Sequence, residues 1–530
     1  MKDWLSPLLA LALLPSPAPA DPLPATQTSC VEVAVSPQAC WWAGIIDQGS
    51  QMPLACGYQA DLSGDTYGNQ GQPLLLSSEG DVIWSEDAIA IRLSPNGLVV
   101  QSKGGRVNRA KAGSSLRDAF RYASRTYFPP AGKAPDELLF LAPQYNTWIE
   151  LMYNQNQADI LKYVQGLEMN GFPPGVLMVD DNWQQNYGQW DFKREKFPDP
   201  KGMINTLHAR GFKVMLWVCP FVATNSDAYP DLARRNLLLK DPSGAAASIK
   251  WWNGYSALLD FSNPQAVAWF CARLDYLQSA YQVDGFKFDG GDSSFYKGVI
   301  ASRLISPNTQ SELYGKIGLQ YPLNEYRAMW KMGGQPLAER LRDKAHSWTD
   351  LRKLVPNMIL AGLMGYPFSC PDMIGGGEYQ SFQSASTIDQ ELVVRSAQCH
   401  ALMPMMQFSV APWRVLDPPH LKAVLKAIQV RQAHIDYILR LVRQSASTGE
   451  PAVRPMEYVF PHQGYERVND QFFMGDQILV APVLEKGARS REVILPAGQW
   501  KAFDGKHYAG PGKFSLPVDY GDLCYFEKVD

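Results

Sequence analysis

The sequence predicts an α/β fold in which a (β/α)8 TIM barrel is flanked by an N-terminal β-sandwich and a C-terminal β-sandwich. In the middle of the chain, continuous apolar runs alternate with helical segments, as in the βα units of a parallel sheet. These units occupy about 290 residues, which favours a barrel over a doubly wound sheet. No Gly-x-Gly-x-x-Gly motif follows an apolar run, so the sequence does not indicate a dinucleotide-binding fold.

The 530 residues divide into four predicted segments. Lys2, the apolar run over 8–14 and the small residues Ala18 and Ala20 have the order of a signal peptide, so we expect export to the periplasm or the extracellular space. No later stretch of 18 uncharged apolar residues occurs, and we predict no transmembrane segment. The predicted segments are a signal peptide over 1–20, the N-terminal β-sandwich over 21–130, the barrel with insertions over 131–450 and the C-terminal β-domain over 451–530.

Each predicted element follows from a local pattern. In the N-terminal part, short apolar runs between turn residues predict strands over 74–76, 89–93 and 98–100. In the barrel, continuous apolar runs predict strands over 138–142, 175–179, 212–218 and 283–289. Helical segments are predicted over 158–169, 201–210, 264–280 and 421–443. Near the C-terminus, strands are predicted over 477–482, 492–496 and 500–503.

Composition and charge argue against several classes of function. Lys and Arg total 49 against 52 Asp and Glu, a net charge of −3, so we predict no nucleic-acid partner. The chain has seven His and no His-Glu-x-x-His motif, and we predict no metal and no cofactor. It also has no Gly-x-Ser-x-Gly motif of a serine hydrolase. Cys30, Cys40 and Cys56 lie close together in the sequence, and we expect one disulfide among them in an exported protein.

Acidic residues follow several of the predicted strands. Asp180 and Asp181 follow the second strand, Asp289 follows the fourth with two glycines that would clear space beside it, and the later segment 340–343 ends in Asp343. Because parallel strands of a barrel end at one face, these side chains should converge there. Converging carboxylates predict acid–base or nucleophilic chemistry on a neutral polyol. A divalent-cation site is the alternative, although the chain lacks an Asp-x-Asp-x-Asp-Gly loop.

Several longer motifs, spread over nearly the whole chain after residue 20, together resemble glycoside hydrolase family 31. They are VDDNW over 179–183, FPDPKGM over 197–203, GYPF over 365–368, PDMIGG over 371–376, ILVAPV over 478–483 and LPAGQW over 495–500. Within the family, further motifs are similar to the myogenesis-regulating glycosidase group and to related bacterial α-galactosidase-like enzymes. These motifs are WWNG over 251–254, FKFD over 286–289 and PMMQFS over 404–409.

The resemblance implies a retaining α-glycosidase with two catalytic carboxyl groups. It assigns the nucleophile to Asp289 and the general acid/base to Asp343, and it leaves the nearby Asp350 at a helix start. We expect Asp289 and Asp343 to face each other across one pocket. The substrate-binding residues that the resemblance or our inference adds are Asp180, Asp181, Trp183, Trp217, Lys287, Arg327 and Arg340.

Three of these positions leave alternatives open. Trp183 and Trp217 either stack on a sugar face or pack in the barrel core. Lys287 either lies beside the nucleophile, which with Arg327 would favour its ionised form, or only pairs with a neighbouring carboxylate such as that of Asp181 or Asp292.

Departures from the family pattern bear on the sugar. The α-glucosidase branch has Trp-Thr-Gly-Asp where this chain has RLRD over 340–343, and it has a histidine where this chain has Ser409. Asp292 also stands where a glutamate is usual. The expected activity is exo-acting hydrolysis of a terminal α-linked hexose, α-galactoside above others, with an oligosaccharide or glycoside as the substrate. The alternatives are an α-glucosidase, a sulfoquinovosidase, an α-glucan lyase and a non-catalytic sugar-binding protein.

Overall fold

The computed structural model describes residues 30–34, 39–383 and 388–529. The predicted signal peptide, residues 1–20, lies outside the described residues. In the described part of the chain, no helix is both long enough and apolar enough to cross a membrane.

Within the described residues, eight parallel strands form the predicted barrel. From the first to the eighth they are Gln144–Asn146, Val176–Val179, Lys213–Val218, Gly285–Phe288, Asn324–Tyr326, Glu339–Arg340, Ser369–Cys370 and Gln407–Phe408. Strands that follow one another along the chain pair side by side from the first to the seventh, and the eighth pairs with the first. A parallel bridge between Met373 and Gln407 nearly closes the ring. All eight strands therefore end at one face of the barrel.

Helices follow most of the barrel strands, although none lies between the fifth and the sixth, and the first turns of most of them are capped by a side chain. The larger helices after the first strand are Gln157–Met169, Pro200–Ala209, Pro264–Tyr281, Pro307–Ile317, Trp348–Leu363, Gln390–Ala401, Pro418–Ala433 and Ile435–Thr448. Side chains that accept a hydrogen bond from a first-turn N–H are those of Asn156, Asp199, Asn263, Ser306, Ser347, Asp389 and Asp417. Such caps satisfy N–H groups that have no partner inside the helix.

Shorter elements fill the connections. The short α-helices are Leu138–Leu141, Trp148–Leu151, Tyr229–Arg234, Pro412–Val415 and Met456–Val459, and the 3-10 turns are Ile46–Gln51, Ser293–Tyr296, Gly318–Gln320 and Tyr379–Phe382. The strands inserted after the second and third barrel strands are Gln184–Asn186, Gln189–Phe192, Phe221–Val222, Ile249–Trp251 and Gly254–Leu258.

Two sequence predictions in the helical layer are wrong. The apolar run over 138–142 forms the one-turn helix Leu138–Leu141, and the first barrel strand is the following Gln144–Asn146. A short apolar run has no periodicity that separates helix from strand, and this barrel strand contains two polar side chains that hide it. The predicted helix over 421–443 is interrupted at His434, whose ring contacts the carbonyl of Val430 and the carboxylate of Glu527.

The N-terminal part forms two sheets. One contains Cys30–Val33, Gln59–Asp61, Ile89–Ser94 and Gly97–Ser102, and the other contains Trp41–Ile45, Gln70–Ser77, Asp81–Ser85, Val107–Lys111 and Met329–Trp330. The last of these strands comes from the barrel, because Met329 and Trp330 pair with Gln70 and Gly71. The helix Leu116–Tyr127 follows the two sheets. The shared sheet holds the loop over 65–68 against the open face of the barrel.

Over 453–529, the C-terminal part forms one hydrogen-bonded sheet of six strands where we predicted a sandwich. The strands are Val453–Arg454, Phe472–Met474, Ile478–Val480, Ser490–Ala502, His507–Pro517 and Tyr525–Val529. The predicted strands over 492–496 and 500–503 are parts of the single strand Ser490–Ala502. Its pairing with His507–Pro517 is irregular between Leu495 and Gly498, where the sequence Pro-Ala-Gly gives the impression of a turn.

The cysteines are unpaired, contrary to the expected disulfide. Cys30, Cys40 and Cys56 are all free, as are the other five cysteines of the described residues. The buried members of this set behave as small apolar side chains of the core, as Cys219 does beside the third barrel strand.

Candidate active site

A cavity of about 550 Å³ opens at the face where the barrel strands end. The ends of the first seven strands and the loops that follow them supply most of its walls, as the barrel topology predicts. The predicted site residues that line it are Asp180, Asp181, Trp217, Lys287, Asp289, Arg327, Arg340 and Asp343. Among the described residues, no three His, Cys, Asp or Glu side chains are arranged to hold a metal ion.

Asp289 directly follows the fourth strand, and its carboxylate accepts three hydrogen bonds. The donors are Nε of Arg327 at 2.8 Å, the backbone N–H of Gly290 at 2.8 Å and Nε1 of Trp217 at 3.0 Å. Burial acts to raise the pKa of Asp289. The positive charges of Arg327 and Lys287 outweigh burial and hold that pKa well below its ordinary value. Asp289 is therefore an ionised carboxylate at the cavity wall.

The two glycines after Asp289 were predicted to clear space beside it, but in the structure they allow close packing of neighbouring side chains instead. A Cβ on Gly291 would lie 2.5 Å from Cδ1 of Tyr314. Gly290 has a φ of 70°, which is strained for residues with a side chain. The hydroxyl of Tyr314 donates to the backbone carbonyl of Asp289 at 3.0 Å, so this close packing fixes the backbone of the carboxylate.

Arg327 joins the nucleophile candidate to a second carboxylate and to the N-terminal part. Its Nη2 lies 2.5 Å from Oδ2 of Asp292, and its Nη1 donates to the backbone carbonyl of Gly68 at 2.7 Å. The guanidinium also lies over the ring of Trp252, 5.4 Å from the centroid. Because Nε donates to Asp289, all three nitrogens of the guanidinium have protein partners. The position of the guanidinium is therefore fixed before any ligand arrives.

Asp343 lies on another wall of the same cavity, after the sixth strand. Its side chain is 41% exposed, and Oδ1 accepts a hydrogen bond from Nη1 of Arg340 at 2.8 Å. Arg340 itself is buried and also donates to Asp372, at 2.6 Å. Asp350 does not line the cavity. It lies in the first turn of the helix Trp348–Leu363, as predicted, where its carboxylate accepts the N–H of Ala345 at 2.8 Å.

A buried pair and an acidic neighbour form the floor of the cavity. Nζ of Lys287 lies 2.6 Å from Oδ2 of Asp180, so the lysine pairs with Asp180 and not with Asp181 or Asp292. Both side chains are at most 4% exposed. Asp181 accepts hydrogen bonds from Gln184, Tyr187 and Asn253. Burial raises the pKa of Asp181 to about 6, and the Asp180 charge adds to this rise.

The burial of the Lys287–Asp180 pair leads to a prediction for the stability of the folded protein. Replacing Lys287 by Met should lower the free energy of unfolding by about 3–5 kcal/mol, because the Asp180 carboxylate then stays buried without a counter-ion. Chemical denaturation measures this. Lys316→Met is the matched control, because it removes a pair with Glu312 from a lysine that is 50% exposed. It should change stability by less than about 1 kcal/mol. Similar losses in the two variants would contradict the prediction.

Trp183, a predicted site residue, does not line the cavity. Its ring is buried outside the cavity against Trp190 and Phe192, with centroid distances of 6.3 and 4.7 Å. Its Nε1 donates to the backbone carbonyl of Trp217 at 2.8 Å. The packing alternative therefore holds for Trp183. Trp217 itself lines the cavity and donates to Asp289, so the third strand carries a polar contact at this position.

Aromatic residues at the rim of the cavity are missing from the sequence-based site. Tyr67, Tyr153 and Trp252 line it and are 44, 41 and 46% exposed. Trp148 packs edge-on against Tyr153, at 5.2 Å between centroids. These residues come from the N-terminal loop, the first βα connection and the insertion after the third strand. Of these residues, the sequence analysis points only to Trp252, through the WWNG motif. The others could not be predicted, because position along a loop does not show where its side chains lie.

Ser409 follows the eighth strand but is buried behind the cavity wall. Its hydroxyl accepts the backbone N–H of Ile149 at 2.7 Å, and it is not among the lining residues. The position that carries a histidine in the α-glucosidase pattern thus presents no side chain to the cavity here.

Comparison with known families agrees with this geometry. A model described as "Glycosyl hydrolases family 31 TIM-barrel domain" matches residues 142–441, more than half of the chain. The chain belongs to glycosyl hydrolase family 31. A second model, the "Glycosyl hydrolase family 31 C-terminal domain", matches residues 449–528. The resemblance inferred from the motifs is confirmed.

Relatives within family 31 include curated proteins longer than this chain. The "Myogenesis-regulating glycosidase" of Mus musculus is 33% identical over 436 residues, which cover 79% of this chain and 60% of the relative. The "1,3-alpha-isomaltosidase" of Kribbella flavida is 27% identical over 348 residues, which cover 57% of this chain and 46% of the relative. The chain thus spans about half to three fifths of the length of these relatives.

Solved structures show the same fold at lower identity. The family 31 dextranase of Flavobacterium johnsoniae, complexed with glucose, matches with a TM-score of 0.84 and 18% identity over 94% of this chain and 66% of its own. The cycloalternan-degrading enzyme from Trueperella pyogenes, in complex with isomaltose, matches with a TM-score of 0.82 and 19% identity over 95% of this chain and 81% of its own.

Proposed function

We propose that this chain is a retaining, exo-acting α-glycosidase that removes a terminal α-linked hexose by double displacement. The observation that carries the proposal is one cavity at the strand ends of a family 31 barrel with both required carboxyl groups on its walls, Asp289 and Asp343. A sugar-binding protein without activity would have no need of the acid/base carboxyl group of Asp343. The pair therefore favours the enzyme over the non-catalytic alternative.

In the first step, the Asp289 carboxylate attacks the anomeric carbon, and the bond from that carbon to the aglycone oxygen breaks. The hydrogen bonds from Arg327, Trp217 and Gly290 keep the attacking group ionised and aimed. Asp343 gives its proton to the departing oxygen, so the aglycone leaves as an alcohol. The product of this step is a β-linked glycosyl ester of Asp289.

In the second step, water attacks the anomeric carbon of the ester from the face that the aglycone left. Asp343, now a carboxylate, accepts a proton from this water, and the Asp289 carboxylate is released. Two inversions restore the α configuration of the sugar, and both side chains return to their starting protonation states.

The charges of the cavity favour a neutral sugar. Its four cationic side chains in the described residues all face carboxylates: Lys287 faces Asp180, Arg327 faces Asp289 and Asp292, Arg340 faces Asp343 and Asp372, and Arg342 faces Asp47. A sulfonate would need a cation without a partner. This pairing argues against a sulfoquinovosidase.

The distribution of burial favours a chain end as substrate. Lys287, Asp180 and Asp181 are buried at the floor, whereas Tyr67, Tyr153 and Trp252 are exposed at the rim. A terminal sugar would enter with its hydroxyl groups towards the charged floor and leave the aglycone between the aromatic rings. This arrangement supports exo action.

We propose an α-galactoside as the preferred substrate because of the departures at 340–343 and Ser409 from the α-glucosidase pattern. An α-glucoside is the second candidate, because the named relatives include an isomaltosidase and the similar structures include a dextranase with glucose.

Aryl α-glycosides of galactose, glucose and xylose with one common leaving group test this choice. We expect the highest kcat/KM on the galactoside, by at least about tenfold, which corresponds to 1.4 kcal/mol of transition-state binding. A higher kcat/KM on the glucoside would replace the proposed substrate and keep the proposed class. Absence of hydrolysis of every glycoside would refute the class.

A further inference from the structure

Behind Asp343, a single buried guanidinium faces three carboxylates. Nη1 of Arg340 lies 2.8 Å from Oδ1 of Asp343 and 2.6 Å from Oδ1 of Asp372, and Nε lies 3.4 Å from Oε1 of Glu325. The side chains of Arg340, Asp372 and Glu325 are at most 2% exposed, and of the three carboxylates only Asp343 lines the cavity. The group proposed as the acid is therefore the open end of a buried charge cluster.

This arrangement poses a problem for the proposed chemistry. A positive charge at 2.8 Å favours loss of the proton from a carboxylic acid. A general acid must hold its proton until the aglycone departs. Arg340 next to Asp343 therefore opposes the role of Asp343 unless another group neutralises the guanidinium.

Asp372 is placed to do this. The same nitrogen, Nη1 of Arg340, contacts both carboxylates, and the distance to Asp372 is the shorter. The other oxygen of Asp372 accepts the backbone N–H of Lys344 at 2.7 Å and of Gly377 at 3.0 Å. Burial raises the pKa of Asp372 to about 7, the charge of Asp343 adds to this rise, and Arg340 opposes it. Because every polar partner of its side chain is a donor, the geometry fits the carboxylate form.

The same contacts hold the loop that carries Asp343. Lys344 is the residue after Asp343, and a Cβ on Gly377 would lie 2.9 Å from Oδ1 of Asp343. Asp372 also has a φ of 93°, which is strained for a residue with a side chain. Its side-chain hydrogen bonds to Lys344 and Gly377 bind this unusual backbone to both sides of the Asp343 carboxyl group.

We propose that Asp372 is a positioning residue for Asp343: its carboxylate neutralises Arg340 and fixes the loop, so that Asp343 keeps its proton until the aglycone leaves. This inference rests on the proposed glycosidase function. It concerns a residue that does not line the cavity and that acts only through Arg340 and the backbone.

The other cationic groups around Asp343 already have carboxylate partners. Arg342 and Lys344 both pair with Asp47, at 3.3 and 3.0 Å. Arg327 pairs with Asp289 and Asp292. Glu378 lines the cavity nearby, and Glu325 faces the opposite edge of Arg340. Removing the Asp372 charge therefore changes the balance at Arg340 first.

The test is the pH dependence of kcat/KM in Asp372→Asn, Arg340→Met and the double variant, measured on a phenyl glycoside of the preferred sugar. In Asp372→Asn the alkaline limb should move to lower pH by about one unit or more, because the unneutralised guanidinium draws the proton from Asp343. In Arg340→Met it should move to higher pH. In the double variant it should return to within about half a unit of the wild-type limb, because the cation is gone.

A dinitrophenyl glycoside, whose leaving group needs no proton, separates this effect from general damage. On this substrate Asp372→Asn should keep kcat/KM within about threefold of wild type. Asp350→Asn is the matched control, because it removes an aspartate that contacts the same loop through Ala345 but lies outside the cavity. Its alkaline limb should not move.

Three results would overturn the inference: an unmoved alkaline limb in Asp372→Asn, an equal loss on both leaving groups, or a double variant that shifts as far as Asp372→Asn alone. If Asp372→Asn alone does not fold, the comparison of Arg340→Met with the double variant carries the test, because the two differ only in the Asp372 charge. An alkaline limb at the same pH in these two variants overturns the inference. A wild-type protein that hydrolyses neither glycoside refutes the proposed function instead. The two failures are therefore distinguishable.

Discussion

Replacement of Asp289 by Asn should lower kcat by at least about a thousandfold, because an amide cannot form the glycosyl ester. Asn has nearly the same size, so it can still accept hydrogen bonds from Arg327 and Gly290 through its one carbonyl oxygen. The loss should therefore appear in the rate and not in folding. Steady-state kinetics on an aryl α-glycoside, with thermal unfolding of the same sample, measure both.

The matched control is Asp292→Asn, which removes the other carboxylate of Arg327 but no atom that would touch the anomeric carbon. We expect a loss of less than about thirtyfold from this variant, through a looser Arg327. An Asp289→Asn protein that folds and keeps more than about a hundredth of the wild-type kcat would show that Asp289 is not the nucleophile.

Replacement of Asp343 by Ala should produce a loss that depends on the leaving group. With a phenyl glycoside the departing oxygen needs a proton, and kcat/KM should fall by about 10²–10⁴-fold. With a dinitrophenyl glycoside the first step needs no proton, so kcat/KM should fall by less than about tenfold. The ratio of the two losses is the diagnostic quantity, because damage to binding or folding would lower both alike.

Asp350→Ala is the control for this prediction. The residue lies seven positions after Asp343, but it occupies a helix start and pairs with Lys353. It should lose helix stability, by about 1 kcal/mol, without any change in the ratio. A leaving-group dependence in Asp350→Ala and none in Asp343→Ala would exchange the two roles. A β-configured first product by NMR would contradict retention itself.

The sequence predicts those parts of the site that directly follow long apolar strands. Asp180 and Asp289 are of this kind, because Val176–Val179 and Gly285–Phe288 are buried runs whose ends a reader of the sequence can find. The sixth and seventh strands have two residues each, too few to show a period. Nothing in the sequence analysis therefore places Asp372 beside Arg340.

Trp183 shows a different limit. It follows the second strand by only four residues, but Asn182 before it has a φ of 79°, and the chain turns back towards the core. Asn tolerates this conformation better than most residues, yet nothing in the sequence requires it. The aromatic residues at the rim could not be predicted for a different reason. They come from insertions and from the N-terminal part, whose position depends on contacts between distant segments.

The strand Met329–Trp330 bears on how this protein could be divided by evolution or by engineering. It leaves the barrel two residues after Arg327 and enters the N-terminal sheet, and the Gly68 carbonyl of that sheet's loop receives a hydrogen bond from Arg327. The predicted domain boundary near residue 130 therefore divides the sequence, but it does not divide the protein into parts that function separately. A barrel excised at that border would lose one wall of its cavity and one acceptor of its central arginine. The smallest piece that can be exchanged as a module contains both the barrel and the sheet before it.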